Sequence, residues 1–248
     1  MAVIAKREVD VRRVAAEDRS LGGRRLSQSS VRDLLLIALT FSSGAVDAIS
    51  YLALEKIFTA FMTGNLVFLG LGLAGAEVAH VLRVAASLAA FAAGVAVAAR
   101  TVRPARGSRL WPGRVSIALA LSVFAEAGFL AGWVVTSGRP TTGIGDLLVA
   151  LIALAMGIQS GAVLSLGVKG VFTTAATASV MFLMSDVAAW AGSALERRRL
   201  AAVIGALVAG ATSGALLILH ARSYAPVLPL VVTGLVIATA SVGLRSPR

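Results

Sequence analysis

The chain reads as an all-α membrane protein built from two inverted repeats, each with three transmembrane helices and one re-entrant or broken helical segment. Three observations predict this: an apolar composition, eight apolar segments near membrane-crossing length, and a twelve-residue phrase that occurs twice. Of 248 residues 58% are apolar and 14% charged, with a mean hydropathy of +0.88. So little polar surface cannot coat a soluble globule of this size. The phrase stands at 58–69 (FTAFMTGNLVFL) and again 114 positions later at 172–183 (FTTAATASVMFL). Phe58/Phe172, Thr59/Thr173, Thr63/Thr177, Phe68/Phe182 and Leu69/Leu183 are identical, and a shorter echo, SGAV, occupies both 43–46 and 160–163. Internal repeats in an apolar chain are how many secondary transporters are made, with the binding site where the repeats meet.

The eight segments run over 34–54, 57–76, 81–99, 115–136, 147–168, 171–192, 200–219 and 227–244. Each approaches the roughly 20 residues that a helix needs to cross about 30 Å of hydrocarbon. Prolines respect the boundaries. Pro104, Pro112 and Pro140 lie in connections, Pro226 and Pro229 open the last segment, and Pro247 is in the tail.

Basic residues decide how many segments cross. With all eight spanning and the N terminus inside, eight of the 23 basic residues fall outside, five of them in one loop: Arg100, Arg103, Arg106, Arg109 and Arg114. The positive-inside rule disfavours this. If 57–76 and 171–192 instead enter and leave by one face, only Lys56, Arg83, Arg139 and Arg222 remain outside. Six full spans with both termini cytoplasmic is therefore the expected topology. Each half then crosses three times, so the second half is upside down relative to the first. Residues 1–32 form a basic tail, expected to be disordered and close to anionic lipid heads. A polytopic domain follows over 33–248, with repeat one at 33–136 and repeat two at 146–244.

In the first copy Gly64, Gly70, Gly72 and Gly75 weaken the helix, while Thr63 and Asn65 can satisfy freed backbone groups. The second copy has Ala178 in place of the first glycine, so an ordinary spanning helix is its alternative reading.

The run SSGAVDAISYLALEKIFTAFMTGNLVFLG at 42–70, with AMGIQSGAV at 155–163, resembles the YoaK-like bacterial integral membrane proteins, a domain of unknown function. The resemblance covers about 34–244. It implies six transmembrane segments, residence in the bacterial inner membrane, and no established substrate. Asp47, Phe58 and Thr63-Gly64-Asn65 match its most specific stretch, and Gln159 matches the glutamine of its second half.

Asp47, Glu126 and Asp186 lie well inside apolar segments. A charge at mid-membrane costs at least about 2.5–3.5 kcal/mol, so such residues tend to face a cavity or a partner. Asp47 is the sharpest of them because its repeat counterpart is Leu164. The expected solute or ion site is Asp47, as a proton-coupling or cation-coordinating group, with Ser43, Thr63, Asn65, Gln159 and Thr177 around it and Ser42 as a further neutral ligand. The competing reading makes Asp47 a structural group, bonded to a neighbouring backbone or paired with Lys56. Asn65 and Gln159 have a similar alternative in interhelical hydrogen bonds.

The remaining signals are mostly about packing. Gly128-x-x-x-Gly132, Gly157-x-x-x-Gly161 and Gly210-x-x-x-Gly214 allow close helix approach, within the bundle or at a homo-oligomer seam. Gly70, Gly72 and Gly75 lack the Lys-Ser/Thr of a nucleotide loop. The absence of cysteine excludes thiol catalysis and cysteine-ligated metals. No cofactor is expected. Nucleic acid is not an expected partner, since no aromatics punctuate the basic run; the lipid bilayer is. The expected function is a small secondary transporter or channel for a small solute or ion, not an enzyme. A non-transporting scaffold and an intramembrane enzyme are the alternatives, the latter lacking Gly-x-Ser-x-Gly and His-Glu-x-x-His motifs.

Overall fold

The computed structural model describes residues 27–76, 80–102, 110–168, 171, 173–174, 176–188 and 193–244. The basic tail up to residue 26, Arg103, Arg106, Arg109, Lys169, Phe172 and Pro247 lie outside the described residues. What is described is helical: α1 (Gln28–Ala53), α2 (Met62–Leu73), α3 (Val81–Thr101), α4 (Gly113–Val135), α5 (Thr142–Leu164), α6 (Ala176–Ala188), α7 (Ala194–His220) and α8 (Val227–Gly243), with a 3-10 turn (Arg222–Tyr224) opening the last span. Among the described residues there is no strand.

Six of these elements are long and apolar enough to cross a bilayer, the 3-10 turn and α8 together forming the sixth. The two that are not carry the repeated phrase. At about 1.5 Å per residue, the 12 residues of α2 and the 13 of α6 reach about 18–20 Å, well short of about 30 Å of hydrocarbon. The described part of the second copy is thus as short as the first, although Ala178 stands where the first has a glycine. The break in the first copy also lies elsewhere than its glycines suggest. The helix runs unbroken through Gly64, Gly70 and Gly72, and the non-helical stretch precedes Met62.

Capping side chains move some boundaries outward from the apolar runs. Ser27 accepts from the backbone of Ser30 and starts α1 several residues before Leu34. Ser193 and Glu196 form a reciprocal capping box that starts α7 ahead of the apolar run.

Side-chain links fix which helix ends share a face. Arg83, in the first turn of α3, pairs with Glu55 just past α1 at 2.7 Å, pairs with Asp146 of α5, and donates to the Thr142 carbonyl at 3.1 Å. The end of α1 and the starts of α3 and α5 therefore lie together. If α2 crossed the membrane, Glu55 and Arg83 would sit on opposite faces. At the same end, Trp133 of α4 donates to the Arg222 carbonyl at 2.9 Å, and Arg222 donates to the Gly138 carbonyl at 2.7 Å. Arg199 reaches Asp33 at 3.5 Å, which ties the start of α7 to the start of α1 at the other end.

The closest helix crossings are α1 on α7 and α3 on α5. Both are made by glycine on backbone. A methyl at Gly210 or Gly214 would overlap the carbonyl of Phe41 or Ala45, and one at Gly44 would overlap that of Leu207. In the other crossing Gly157 faces the carbonyl of Phe91, and Gly94 faces that of Leu154. Lipid is as apolar as leucine, so helices in a bilayer gain by such close van der Waals approach rather than by burying apolar surface from water. Gly128 and Gly132 face side chains of Leu151 and Leu148, so all three glycine pairs pack inside the chain.

The remaining helix contacts are α1 with α8, α4 with α5, α2 with α3, α6 with α7, α4 with α8, and α1 with α5. Exchanging each of the first four helices for the one four places on returns the same set. The minor contact of α3 with α4 is answered by that of α7 with the 3-10 turn.

Candidate functional site

The first broken segment begins where α1 ends in a reversed turn. Glu55 and Lys56 are both left-handed, at φ +65° and +60°, an unusual conformation for side-chain-bearing residues. Three elements then hold the chain that follows. From α1, the Oδ1 of Asp47 accepts the backbone N–H groups of Thr59 at 2.9 Å and Ala60 at 2.8 Å. Asp47 lies six residues before the end of α1, roughly 9 Å at about 1.5 Å per residue, so the turn is drawn inward by about that depth. From α2, the Asn65 amide bonds Phe58 on both sides, its Oδ1 accepting from the backbone N at 3.1 Å and its Nδ2 donating to the carbonyl at 2.6 Å. From α3, Ser87 donates to the same carbonyl at 3.0 Å. Ser50 completes the set, with the Thr59 hydroxyl 3.4 Å away.

Inside a bilayer an unpaired backbone group costs several kcal/mol, so a break in a helix survives only where partners are supplied. Asp47, Asn65 and Ser87 supply them. The carboxylate also lies just ahead of α2, where the helix dipole favours negative charge. Aromatic rings close the turn: Phe58 stacks on Tyr51 and Phe68 and meets Phe61 edge-on, with centroids 5.1, 5.8 and 5.2 Å apart. Gly64 makes room for them, since a Cβ there would lie 2.7 Å from the Phe61 ring. Thr63-Gly64-Asn65 is thus a glycine that admits the rings followed by an amide that pins the backbone, while Thr63 itself is exposed.

A second polar group lies where α1 meets α5. Gln159 is fully buried and donates to the Leu39 carbonyl at 3.2 Å, across to the other half. Ser42 and Ser43 follow Leu39 by one turn of α1, on the side to which that carbonyl points. The hydroxyls of both serines and the Gln159 Oε1 are buried without a hydrogen-bond partner.

The second broken segment is built differently. Leu164 takes the place of Asp47 and is exposed; the link from α5 comes instead from Ser160, whose hydroxyl lies 3.0 Å from that of Thr174. A cavity of about 260 Å³ opens between Phe91 and Val95 of α3, Ser160 and Leu164 of α5, and Val171, Thr173 and Thr174. The Thr173 hydroxyl is buried there without a partner. Ser179, at the repeat position of Asn65, is buried, and Thr177 is exposed.

The expected site residues therefore divide into groups. Asp47 and Asn65 meet at the first broken segment, both bonded to backbone; Gln159 bonds α1 at the α1–α5 seam, with Ser43 buried one turn along α1 from its acceptor; Thr63 and Thr177 join neither. Asp186 is nearly buried on α6. Sequence reasoning passed over Ser87, Ser50 and the Arg83 cluster. Position alone signalled Arg83, the one basic residue placed inside an apolar segment. Among the described residues no group of acidic residues and histidines could hold a metal ion.

Residues 35–239 match the family described as "Protein of unknown function (DUF1275)". The chain is 34% identical over 162 residues to the UPF0700 transmembrane protein YoaK of Bacillus subtilis (strain 168), a stretch covering 65% of this chain and 70% of that protein. No solved structure matches the chain.

Proposed function

The chain belongs to the DUF1275 family of YoaK-like membrane proteins, and we propose that it is a small transporter or channel passing small uncharged solutes between two inverted halves. The supporting observation is the contact set that survives exchange of the halves, together with two short helices anchored from opposite ends. Inverted repeats with interrupted helices place loose backbone and polar groups near the midplane, where alternating access operates.

In this reading the two broken segments have different work. The first is sealed by Phe58, Phe61 and Phe68 and fixed by Asp47 and Asn65, which position the turn rather than bind solute. The second carries the path. Its cavity is walled mainly by apolar side chains with hydroxyls at Ser160, Thr173 and Thr174, and among the described residues no charged side chain lines it, which suits a small uncharged solute over an ion. About 260 Å³ is slightly below the range of drug-sized pockets, so the solute is small. Gln159 on α5, with Ser42 and Ser43 of α1 at the same seam, extends the polar surface toward the centre. The protein sits in the cell membrane with both termini in the cytoplasm, the orientation that leaves four basic residues outside.

Proteoliposomes tested by stopped-flow light scattering with urea, glycerol and acetamide would show faster solute entry than protein-free vesicles, and Thr174→Trp, which fills the cavity, would abolish the difference. Permeability equal to protein-free vesicles for all three solutes would remove the reading.

A further inference from the structure

Away from both broken segments, a carboxyl lies at mid-span where the last helices of the two halves meet. Glu126, near the middle of α4, is 1% exposed. Its Oε1 is 3.1 Å from the hydroxyl of Thr233, near the middle of the last span, and its Oε2 is buried with no partner. The same Thr233 hydroxyl lies 3.0 Å from the Pro229 carbonyl. A hydroxyl has one proton and can also accept. When Thr233 gives that proton to Pro229, its oxygen can only accept from Glu126, which must then carry a proton of its own.

The surroundings supply no counter-charge. Helices α5, α8 and α3 pack against α4. Helix α8 has no ionisable residue; α5 has only Asp146, near its start and engaged with Arg83; α3 has only Arg83 and Arg100, one at each end. Among the described residues, none of these elements faces Glu126 with a cation. An ionised carboxylate there would bear the full insertion cost of at least about 2.5–3.5 kcal/mol.

We infer that Glu126 and Thr233 form a reversible proton-binding site in the α4–α8 seam, distinct from the solute cavity. With the proton bound, the Glu126 O–H donates to Thr233 and Thr233 donates to Pro229. When the proton leaves to water, the Thr233 hydroxyl turns and donates to the Glu126 carboxylate. One proton is released, the hydrogen bond from Thr233 to the Pro229 carbonyl is exchanged for one to Glu126, and no other covalent bond changes. The site stands apart from the transport reading, because its occupancy is read at equilibrium and without flux.

The test uses the full chain in detergent micelles. Dicyclohexylcarbodiimide needs a protonated carboxyl in an apolar setting, and peptide mass spectrometry should find its N-acylurea adduct on Glu126. Infrared spectra should show a carboxylic C=O band at neutral pH that is missing in Glu126→Gln, is kept in Asp47→Asn, and fades and returns as the pH is raised and lowered. Thr233→Val should move the pH at which the band fades. Should Glu126→Gln not fold, the adduct in the unmodified chain still decides. A wild-type chain with no adduct on Glu126, a band untouched by a folded Glu126→Gln, or a band that persists until the protein unfolds would each overturn the inference.

Discussion

Arg83 and Glu55 stand 2.7 Å apart, although the twelve-residue helix α2 lies between them in sequence. The Arg83 side chain is almost wholly buried, while those of Glu55 and Asp146 are 56% and 49% exposed. The strength of the cluster therefore rests on the arginine. Glu55→Gln should cost under about 1 kcal/mol, as for an exposed ion pair. Arg83→Met strands two carboxylates and the Thr142 carbonyl, and should cost more. Thermal unfolding in detergent would rank the two, and an equal loss from both would contradict the asymmetry.

Asn65 and Ser87 share one acceptor, and that makes their effects interdependent. Ser87→Ala leaves the Phe58 carbonyl bonded to Asn65 and should cost little. Asn65→Ala frees the Phe58 N–H, at about 1–3 kcal/mol for an unpaired buried group. The double variant frees the carbonyl as well, so its loss should exceed the sum of the single losses. Denaturant unfolding of the three variants measures this coupling.

At Asp47 geometry and charge can be separated. Asparagine keeps an Oδ1 that can accept from both Thr59 and Ala60, so Asp47→Asn should fold and unfold close to the unmodified protein. Leucine accepts nothing, and Asp47→Leu should release the turn. Limited proteolysis across 55–61 would detect the release. Cleavage in Asp47→Asn as fast as in Asp47→Leu would show that the charge, not the hydrogen bonds, holds the segment.

Glycines divide by what surrounds them. Gly210 of α7 lies against the Phe41 carbonyl, whereas Gly205, five residues earlier, has nothing within 4 Å of an added Cβ. Gly205→Ala should stabilise by up to about 1 kcal/mol through helix propensity. Gly210→Ala must push α7 from α1, and overpacking of this kind typically costs about 1–3 kcal/mol. Opposite shifts in the unfolding midpoint are expected.

Much of this architecture was legible from residues alone. Apolar runs and prolines located the eight segments, with described boundaries differing by up to about six residues, because bilayer thickness sets helix length and few sequences satisfy it by accident. The basic residues selected six spans over eight, and among the described residues six helices are long and two short. What the sequence hid was contact. Nothing at Asp47 announces that its carboxylate turns to Thr59 and Ala60 rather than to a solute, since both uses call for a buried acid beside a glycine-rich motif. Of the glycines at 64–75 only Gly75 lies at a helix end, left-handed just past Leu73, and the chain also breaks before Met62, where side chains from three helices can pair the backbone. Ser87 was invisible because a lone serine in an apolar run has no spacing to mark it. For the second segment the basic residues alone called for a short helix, since within 171–192 nothing itself obliges a break.

Thiol labelling from each side of sealed vesicles tests the inverted arrangement most directly, on a chain with no cysteine of its own. Lys56→Cys and Ala76→Cys flank α2, Ser165→Cys and Arg198→Cys flank α6 and the start of α7, and all four positions are exposed. The account predicts that an impermeant maleimide reaches Lys56 and Ala76 only from the outer side, and Ser165 and Arg198 only from the inner side. Labelling of Lys56 and Ala76 from opposite sides would make α2 a crossing helix and end the inverted reading.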